Sequence, residues 1–273
     1  MSYGKLTKTC LLFLSLSTSL NIYSENIIFD LFQVLFDIPT NIQTQVKLTP
    51  NIEKKYVDIL HMLKLGKEFE QLKIPKKYLG LKSSAPIFYA YQTGKMTSKL
   101  ALKKITKFIQ QLTDQNFFES DHEKKIVIQL THLDFDINVR KKNFLPLDAG
   151  ISLLKRCAAQ KNAIGNKRHV LYLLSNVEHE MITCLQETYS EIFLMFNGII
   201  TSGNAGHMKP EPEIYQKLLD TYHLIPVDCI FIDDQQANIQ AAREQGIEGI
   251  LCKDFDFVVK KLEENHIIQP ILS

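Results

Sequence analysis

The sequence lacks several features that would mark a specialised class of protein. It contains no internal repeat and no low-complexity tract, which excludes solenoid and repeat architectures. Its formal net charge of +2 over 273 residues is too small to imply a nucleic-acid or other polyanionic partner. The chain has 45% hydrophobic and 23% charged residues, which is typical of a globular protein with a sizeable core.

Cysteine and histidine patterns typical of metal or redox sites are also missing. None of the five cysteines forms a CxxC pair, so zinc-ribbon and thioredoxin-like proteins have no support. Cys229 and Cys252 lie in apolar runs and are expected to be buried free thiols, with a disulfide only if the protein is exported. The eight histidines show no metal-ligand spacing, and we expect His179 and His207 on the surface.

The first 24 residues have the layout of a secretory signal peptide. Lys5 and Lys8 precede an uncharged stretch, 9–24, whose apolar part is too short to span a bilayer stably. Residues 1–24 are therefore predicted to be a signal peptide, which implies a periplasmic or secreted protein. The alternative is an N-terminal helix packed on the fold of a cytoplasmic protein.

The remaining chain divides into two kinds of pattern. Residues 26–36 form an apolar run that predicts a buried strand, and residues 46–143 contain amphipathic stretches that predict a helical insert. Apolar strands then alternate with helical segments through 144–273. This alternation predicts an α/β fold with a Rossmann-like parallel sheet, formed by 25–45 and 144–273 and covered on both faces.

Reactive side chains lie at or just beyond the carboxyl ends of three of the predicted strands. They are Asp30, Ser175 and the pair Asp233-Asp234. Because ligands bind at the carboxyl edge of open α/β sheets, three segments delivering polar groups there indicate a site. For Ser175 or Asp234 alone, a helix N-cap is the simpler interpretation. Lys209, beside a prolyl turn, supplies a cation that such a cluster would need.

Four segments resemble, in order, the four sequence motifs of the haloacid dehalogenase (HAD) superfamily. They are FDLFQVLFD at 29–37, LLSNVEHE at 173–180, GHMKPEPEIY at 206–215 and FIDDQQANIQAA at 231–242. The likeness is greatest to the branch with sugar-phosphate phosphatases and the phosphatase domain of bifunctional epoxide hydrolases. It spans about residues 26–255 and implies the HAD fold, with 46–143 as a helical cap inserted after the first strand. The segment YQTGKMTSKL at 91–100 resembles that branch's glycine-containing cap turn.

The resemblance also implies roles for individual residues. Asp30 would be the nucleophile that forms an aspartyl phosphate, and Lys209 would neutralise charge between it and the phosphate. Ser175 and Asn176, with Lys209, would bind the phosphoryl oxygens. A Mg²⁺ ion would be held by oxygen atoms of four residues: Asp30, the backbone carbonyl of Phe32, Asp233 and Asp234.

One position departs from the pattern of the resembled phosphatases. Two residues after the nucleophile, most of them carry a second Asp that protonates the leaving group, and here the residue is Phe32. Such general acid–base catalysis is typically worth about 10²- to 10⁴-fold. The loss favours substrates with good leaving groups, such as anomeric sugar phosphates or acyl phosphates. Asp37 is a candidate replacement acid, although a structural role in the loop is the simpler interpretation.

Three functions follow from these residues. The first is a magnesium-dependent phosphatase acting on a small phosphorylated metabolite, with activity weakened or specialised by Phe32. The second is a catalytically impaired HAD-like protein that binds phosphate or a partner. The third is a metal-independent 2-haloacid dehalogenase, which also has an aromatic residue at that position but needs no acidic pair. Tyr89, Tyr91 and Lys95 are candidate cap residues for specificity, and the sequence indicates no oligomeric state.

Overall fold

The computed structural model describes residues 25–37, 49–65, 87–162 and 164–270. The predicted signal peptide, 1–24, lies outside the described residues, so export stays a prediction. Within the described residues, no helix combines the length and apolar character needed to cross a membrane. The limits of the predicted cap, 46–143, also stay a prediction.

A five-stranded parallel sheet forms the centre of the fold. Its strands are β1 (Asn26–Phe29), β4 (Val170–Ser175), β5 (Gly198–Thr201), β6 (Cys229–Asp233) and β7 (Glu248–Leu251). They lie side by side in the order β5-β4-β1-β6-β7. A separate antiparallel pair consists of β2 (Phe36–Asp37) and β3 (Leu145–Pro146). The predicted α/β fold with a parallel sheet is confirmed.

Helices cover both faces of the sheet, because alternate residues of each strand are apolar and buried on opposite sides. Ile27 and Phe29 of β1 belong to one apolar cluster, whereas Ile28 belongs to the cluster on the other face. The helices of this α/β part are α6 (Asp148–Ala159), α7 (His179–Thr188), α8 (Ser190–Phe193), α9 (Ser202–Ala205), α10 (Pro212–Tyr222), α11 (Gln236–Glu244) and α12 (Phe255–Glu264).

Four further helices share a separate apolar cluster, and a fifth, short helix follows them and packs against the cluster of the sheet domain. The five are α1 (Pro50–Leu65), α2 (Ile87–Gln92), α3 (Ser98–Asp114), α4 (Asp121–Phe135) and α5 (Ile137–Arg140). The fully buried residues at the centre of the separate cluster include Ile59, Tyr91, Leu112 and Phe135. A helical layer with its own core thus stands on the sheet domain, and we refer to these five helices as the cap.

The predicted strand over 26–36 is wrong in its extent, because β1 ends at Phe29. Residues 31–35 form turns, in which the amides of Leu35 and Phe36 both donate to the carbonyl of Leu31 at 2.8 Å. The turn is buried because α6 packs against it: a Cβ on Gly150 would lie 1.8 Å from the Val34 carbonyl oxygen. An apolar run signals burial, but it does not distinguish a strand from a buried turn.

The cysteines behave as expected from their apolar surroundings. Cys229 lies in β6, and Cys252 directly follows β7. Both are buried free thiols, and Cys157 and Cys184 are also free. Burial raises the pKa of Cys229 and of Cys252 to about 11, so neither thiol is activated at neutral pH.

Candidate active site

The order of the strands brings the predicted site residues together. β1 lies between β4 and β6, with Phe29 level with both Leu173 and Ile232. Asp30 is the next residue after β1, and its amide donates to the Ile232 carbonyl at 2.9 Å. The carboxyl end of the central strand therefore presents Asp30 between the ends of its two neighbours.

The two oxygens of Asp30 have different surroundings. Oδ1 accepts a hydrogen bond from the Leu31 amide at 2.7 Å and lies 2.8 Å from the Lys209 ammonium. No well-aligned hydrogen bond to Oδ2 is seen among the described residues, although the Ser175 hydroxyl is close enough to Asp30 to act to lower its pKa. Burial, with repulsion from Asp233, raises the pKa of Asp30 to about 7, although Lys209 opposes the shift. Additional positive charge near Asp30 would therefore help to keep this carboxylate ionised at neutral pH.

Lys209 is 2% exposed and has three oxygen partners around its ammonium. Besides Asp30, these are the Leu174 carbonyl at 2.9 Å and Asp233 Oδ2 at 2.6 Å. Burial acts to lower the pKa of Lys209, but attraction to the two carboxylates outweighs it and the pKa is raised. The side chain is thus a permanently charged cation with a fixed direction.

Asp233 and Asn238 support this cation from the side of β6. Asp233 is fully buried, and its Oδ1 accepts hydrogen bonds from the Gln235 amide at 2.7 Å and Asn238 Nδ2 at 3.0 Å. Its Oδ2 is shared by Lys209 and Asn238. Both oxygens are occupied, so the contacts seen for Asp233 orient Lys209; its predicted role as a metal ligand stays a prediction.

Asp234 is the acid of the pair that faces the open part of the site. It lines the same cavity as Asp30, and burial with repulsion from Asp233 raises its pKa, while Lys209 acts to lower it. Carboxylate oxygens of Asp30, Asp233 and Asp234 lie within 4.8 Å of one another. One lysine opposes three carboxylates, which leaves two negative charges unmatched when all are ionised. The charge and oxygen donors therefore fit a divalent cation such as Mg²⁺.

The serine that ends β4 and the asparagine after it occupy different positions in the site. Ser175 is 1% exposed, and its buried Oγ has no well-aligned hydrogen-bond partner among the described residues, although it lies near Asp30. A buried hydroxyl without a partner is costly, which fits a group reserved for a ligand. The Asn176 amide instead pairs with Lys209, accepting from its N–H at 2.7 Å and donating to its carbonyl at 2.8 Å. Asn176 thus positions Lys209, and its contact with phosphate stays a prediction.

A cavity of about 700 Å³ opens over these groups, between the sheet edge and the cap. The sheet domain contributes polar residues to it, namely Asp30, Ser175, Asn176, Lys209, Asp234, Gln235 and Asn238. Phe32 also lines the cavity, and its ring packs on that of Phe144 with centroids 4.8 Å apart. An aromatic pair therefore occupies the place where the resembled phosphatases carry an acid.

The cap residues singled out from the sequence do not line this cavity. Tyr89 donates to Glu211 at 3.0 Å, and Lys95 lies 5.1 Å from the Tyr89 ring. Tyr91 is fully buried and donates to Glu178 at 2.8 Å. The cavity lining therefore gives these candidates no support, because each side chain is used in contacts within the cap or between cap and sheet domain, and their role in specificity stays a prediction.

A buried ion pair across this boundary was not predicted. Arg140, at the end of α5, forms a short ion pair with Glu178, and its Nη1 also donates to the Tyr91 hydroxyl at 2.7 Å. Glu178 is 2% exposed and precedes α7, two residues after Asn176. The one signal in the sequence was an acidic residue inside the second motif, with no indication of its partner.

The remaining candidates lie at the edge of the site or outside it. Asp37 accepts a hydrogen bond from Gln33 at 3.1 Å and does not line the cavity. His179 lies 3.2 Å from Asn204, and His207 lies 3.3 Å from Glu211. Asn238 was missed in the sequence, although its place in the first turn of α11, four residues after Asp234, was available as a signal.

Part of this chain is similar in sequence to two known enzymes. Bifunctional epoxide hydrolase 2 of Rattus norvegicus is 35% identical over 80 residues, which is 29% of this chain and 14% of that protein. D-ribitol-5-phosphate phosphatase of Bacteroides thetaiotaomicron is 33% identical over 87 residues, or 30% of this chain and 42% of that protein. The matches thus span less than half the length of either relative.

Solved structures show the same fold over most of the chain. A HAD family enzyme from Bacteroides thetaiotaomicron, in a magnesium complex, has a TM-score of 0.51 at 18% identity, covering 87% of this chain and 99% of that one. A dehalogenase with an intermediate complex has a TM-score of 0.53 at 12% identity, covering 89% and 97%. The family model for haloacid dehalogenase-like hydrolases matches residues 25–246. The chain therefore belongs to the haloacid dehalogenase-like hydrolase family.

Proposed function

We propose that the protein is a phosphatase-type hydrolase that works through an aspartyl-phosphate intermediate and depends on Mg²⁺. The observation that carries the proposal is the convergence of Asp30, Lys209 and Asp234 below a cavity that also holds the buried hydroxyl of Ser175. Phosphoryl transfer needs positioning and charge neutralisation more than covalent chemistry by the protein. The site supplies a nucleophile, a fixed cation and a free hydrogen-bond donor.

The attack is assigned to Asp30 Oδ2, since Oδ1 is held by the Leu31 amide and Lys209. The carboxylate oxygen forms a bond to phosphorus as the bond to the leaving oxygen breaks. Lys209 opposes the charge on the nucleophile, and Ser175 Oγ–H donates to a phosphoryl oxygen. Water then hydrolyses the aspartyl phosphate and restores the carboxylate. Because both cation and hydroxyl are fixed before substrate arrives, little reorganisation remains for the reaction.

A metal ion would be held by Asp30, Asp234 and the backbone carbonyl of Phe32, with Asp233 behind them. When bound, Mg²⁺ supplies positive charge that brings the phosphate and the carboxylate together. The carboxylates within 4.8 Å of one another and the unmatched negative charge support this assignment. The raised pKa of Asp30 supports it too, since a nearby cation favours the ionised nucleophile.

Release of inorganic phosphate from acetyl phosphate, a small acyl phosphate with a good leaving group, tests the proposal. We expect Mg²⁺-dependent release by the wild type, lost on adding EDTA and reduced at least about 10³-fold in Asp30→Asn. Asp114→Asn is the matched control, because Asp114 is an exposed acid at the end of α3. Equal release by wild type and Asp30→Asn would overturn the assignment of the nucleophile.

Phe32 supports two other functions that the same assays separate. A protein that binds phosphate without turnover would release none from any ester, yet would still bind inorganic phosphate in a Ser175-dependent manner. A 2-haloacid dehalogenase would release halide from chloroacetate in the presence of EDTA, because it would form an ester on Asp30 without needing Asp234.

A further inference from the structure

The cavity over the site has two chemically different halves. Its floor is the polar end of the sheet, whereas its wall, from the cap and the loops beside it, is largely apolar, with uncharged polar residues such as Tyr56, Gln92 and Asn143. The apolar residues are Leu60, Phe88, Leu130 and Leu133 from the cap, and Phe32 and Phe144 from the sheet domain. At about 700 Å³ the cavity matches a drug-sized ligand and exceeds what phosphate alone requires.

The charged side chains on the wall are already engaged. Arg140 is ion-paired with Glu178, and Asp134 accepts a short hydrogen bond from the Tyr56 hydroxyl. Among the described lining residues, the other charged groups belong to the floor around Lys209. A leaving group that carries a second anion would lose water there without an unpaired cation to match it, and one rich in hydroxyls would meet a mostly apolar surface. An apolar leaving group would gain by burial.

The aromatic pair of Phe32 and Phe144 on the wall points to the same kind of leaving group. With Phe32 in place of an acid, the leaving oxygen departs without a proton from that position. A phenol has a pKa of about 10, as tyrosine does. Water, which approximates an alkanol, has a pKa of about 15.7. An aryloxide therefore leaves far more readily than an alkoxide, and a flat ring also packs well against Phe32 and Phe144.

We propose, on the basis of the function proposed above, that the site takes phosphate monoesters of apolar aromatic alcohols. The bond from Asp30 Oδ2 to phosphorus forms, the bond from phosphorus to the aryl oxygen breaks, and the aryloxide departs with the electron pair. It takes a proton from water. A second water attacks phosphorus of the aspartyl phosphate, releasing inorganic phosphate and the Asp30 carboxylate. Leu60 and Leu133 are the specificity-determining residues that contact the ring system.

Matched substrates test this proposal on the wild-type protein. Phenyl and 2-naphthyl phosphate have similar leaving oxygens but differ in apolar area, so we expect kcat/KM to be about fivefold higher for the naphthyl ester. Glycerol 3-phosphate, with a polar alkoxide leaving group, should be at least about a hundredfold poorer than phenyl phosphate. Equal or better turnover of glycerol 3-phosphate, or no preference for the larger ring, would overturn the proposal.

Acetyl phosphate separates this inference from the proposed function. Its leaving group is small and needs no apolar wall, so its Asp30-dependent hydrolysis reports the reaction alone. Hydrolysis of acetyl phosphate without a preference for aryl esters would leave the phosphatase function standing and refute the aryl specificity. Absence of hydrolysis of every ester and of acetyl phosphate would refute both.

Variants of the wall assign the preference to particular residues. Leu60→Asn and Leu133→Asn should lower the naphthyl-to-phenyl ratio of kcat/KM from about five towards one. Leu100→Asn is the matched control, because Leu100 is 43% exposed on α3 and does not line the cavity. An unchanged ratio in both folded wall variants would contradict the assignment. If either variant fails to fold by circular dichroism, the wild-type substrate series decides.

Discussion

At the scale of single residues, the site combines fixed charge with one altered position. Lys209 is held by Asp30, Asp233 and the Leu174 carbonyl, so its ammonium cannot turn away from the nucleophile. Phe32 occupies the position of the expected acid and packs on Phe144. The fixed cation of the proposed phosphatase is therefore in place, whereas protonation of the leaving group has no residue at the usual position.

Replacing Phe32 by an acid should restore what the site lacks. We expect Phe32→Asp to raise turnover of an alkyl ester such as glycerol 3-phosphate by about tenfold or more, because general acid catalysis is typically worth about 10²- to 10⁴-fold when well aligned. Phe32→Asn is the control, since asparagine has the shape of aspartic acid but no carboxylic proton to donate. The measurement is kcat for phosphate release, and equal rates for the two variants would contradict the expectation.

Metal binding at Asp234 can be measured without turnover. Saturating Mg²⁺ should raise the melting temperature of the wild type by several degrees, since binding at 100 times Kd contributes about 2.7 kcal/mol. Asp234→Asn should lose this shift while its metal-free stability stays the same or rises, because repulsion from Asp233 is relieved.

A second group of possible metal ligands, which lies at the surface, provides the control for that measurement. His207, Glu211 and Glu213 also have ligand atoms within 4.8 Å of one another, so they could bind metal adventitiously. Glu213→Gln should keep the full Mg²⁺ shift. A shift lost in Glu213→Gln and retained in Asp234→Asn would place the ion outside the site.

At the scale of elements, the turn between α2 and α3 fixes the cap against the sheet domain. Gly94 has a φ of +73°, and a Cβ there would lie 2.3 Å from the Gly203 carbonyl oxygen. The Ser202 hydroxyl donates to the Gln92 carbonyl at 2.7 Å in the same place. This contact requires both the left-handed backbone and the missing side chain of Gly94.

An alanine at Gly94 should displace the cap turn. We expect Gly94→Ala to lower kcat/KM for phosphate release about tenfold or more. The displaced cap would no longer hold the substrate in the correct position over the catalytic groups. Gly165→Ala is the control, since Gly165 has a similar φ of +84° with open space around its Cβ. Similar losses in the two variants would show that backbone strain, and not the contact with Gly203, causes the effect.

At the scale of the whole molecule, the buried pair of Arg140 and Glu178 joins the cap to the sheet domain. Both side chains are less than one-tenth exposed, and Tyr91 bonds to each of them. Removing one partner of such a pair leaves an uncompensated buried charge, which typically costs about 3–5 kcal/mol. The joint is therefore sensitive to loss of either charge.

Urea denaturation tests this joint. Glu178→Gln should lower the free energy of unfolding by about 3 kcal/mol or more, because the Arg140 guanidinium then lacks its counter-charge. Lys261→Met is the control, since it removes one partner of an exposed pair with Glu264 at 2.9 Å and should leave the urea midpoint nearly unchanged. A Glu178→Gln midpoint close to the wild type would show that water reaches the buried pair.

The sequence predicts the sheet and the strand ends better than it predicts contacts across the chain. Asp30, Ser175 and Asp233 were located because polar residues that end apolar strands meet at one sheet edge. The turn at 31–35 was missed, since its residues are as apolar as those of a strand. The pairing of Arg140 with Glu178 was missed because it joins residues 38 positions apart, which local patterns do not report.

The small ladder of β2 and β3 fixes where the chain leaves the sheet domain and where it returns. Phe36–Asp37 pairs with Leu145–Pro146, on either side of the cap helices in the sequence. The Leu147 amide extends the ladder by donating to the Leu35 carbonyl at 2.9 Å. Both covalent connections to the cap are thus anchored beside the turn that carries Phe32, a residue that lines the cavity. The wall and the floor of the cavity thereby share one point of attachment.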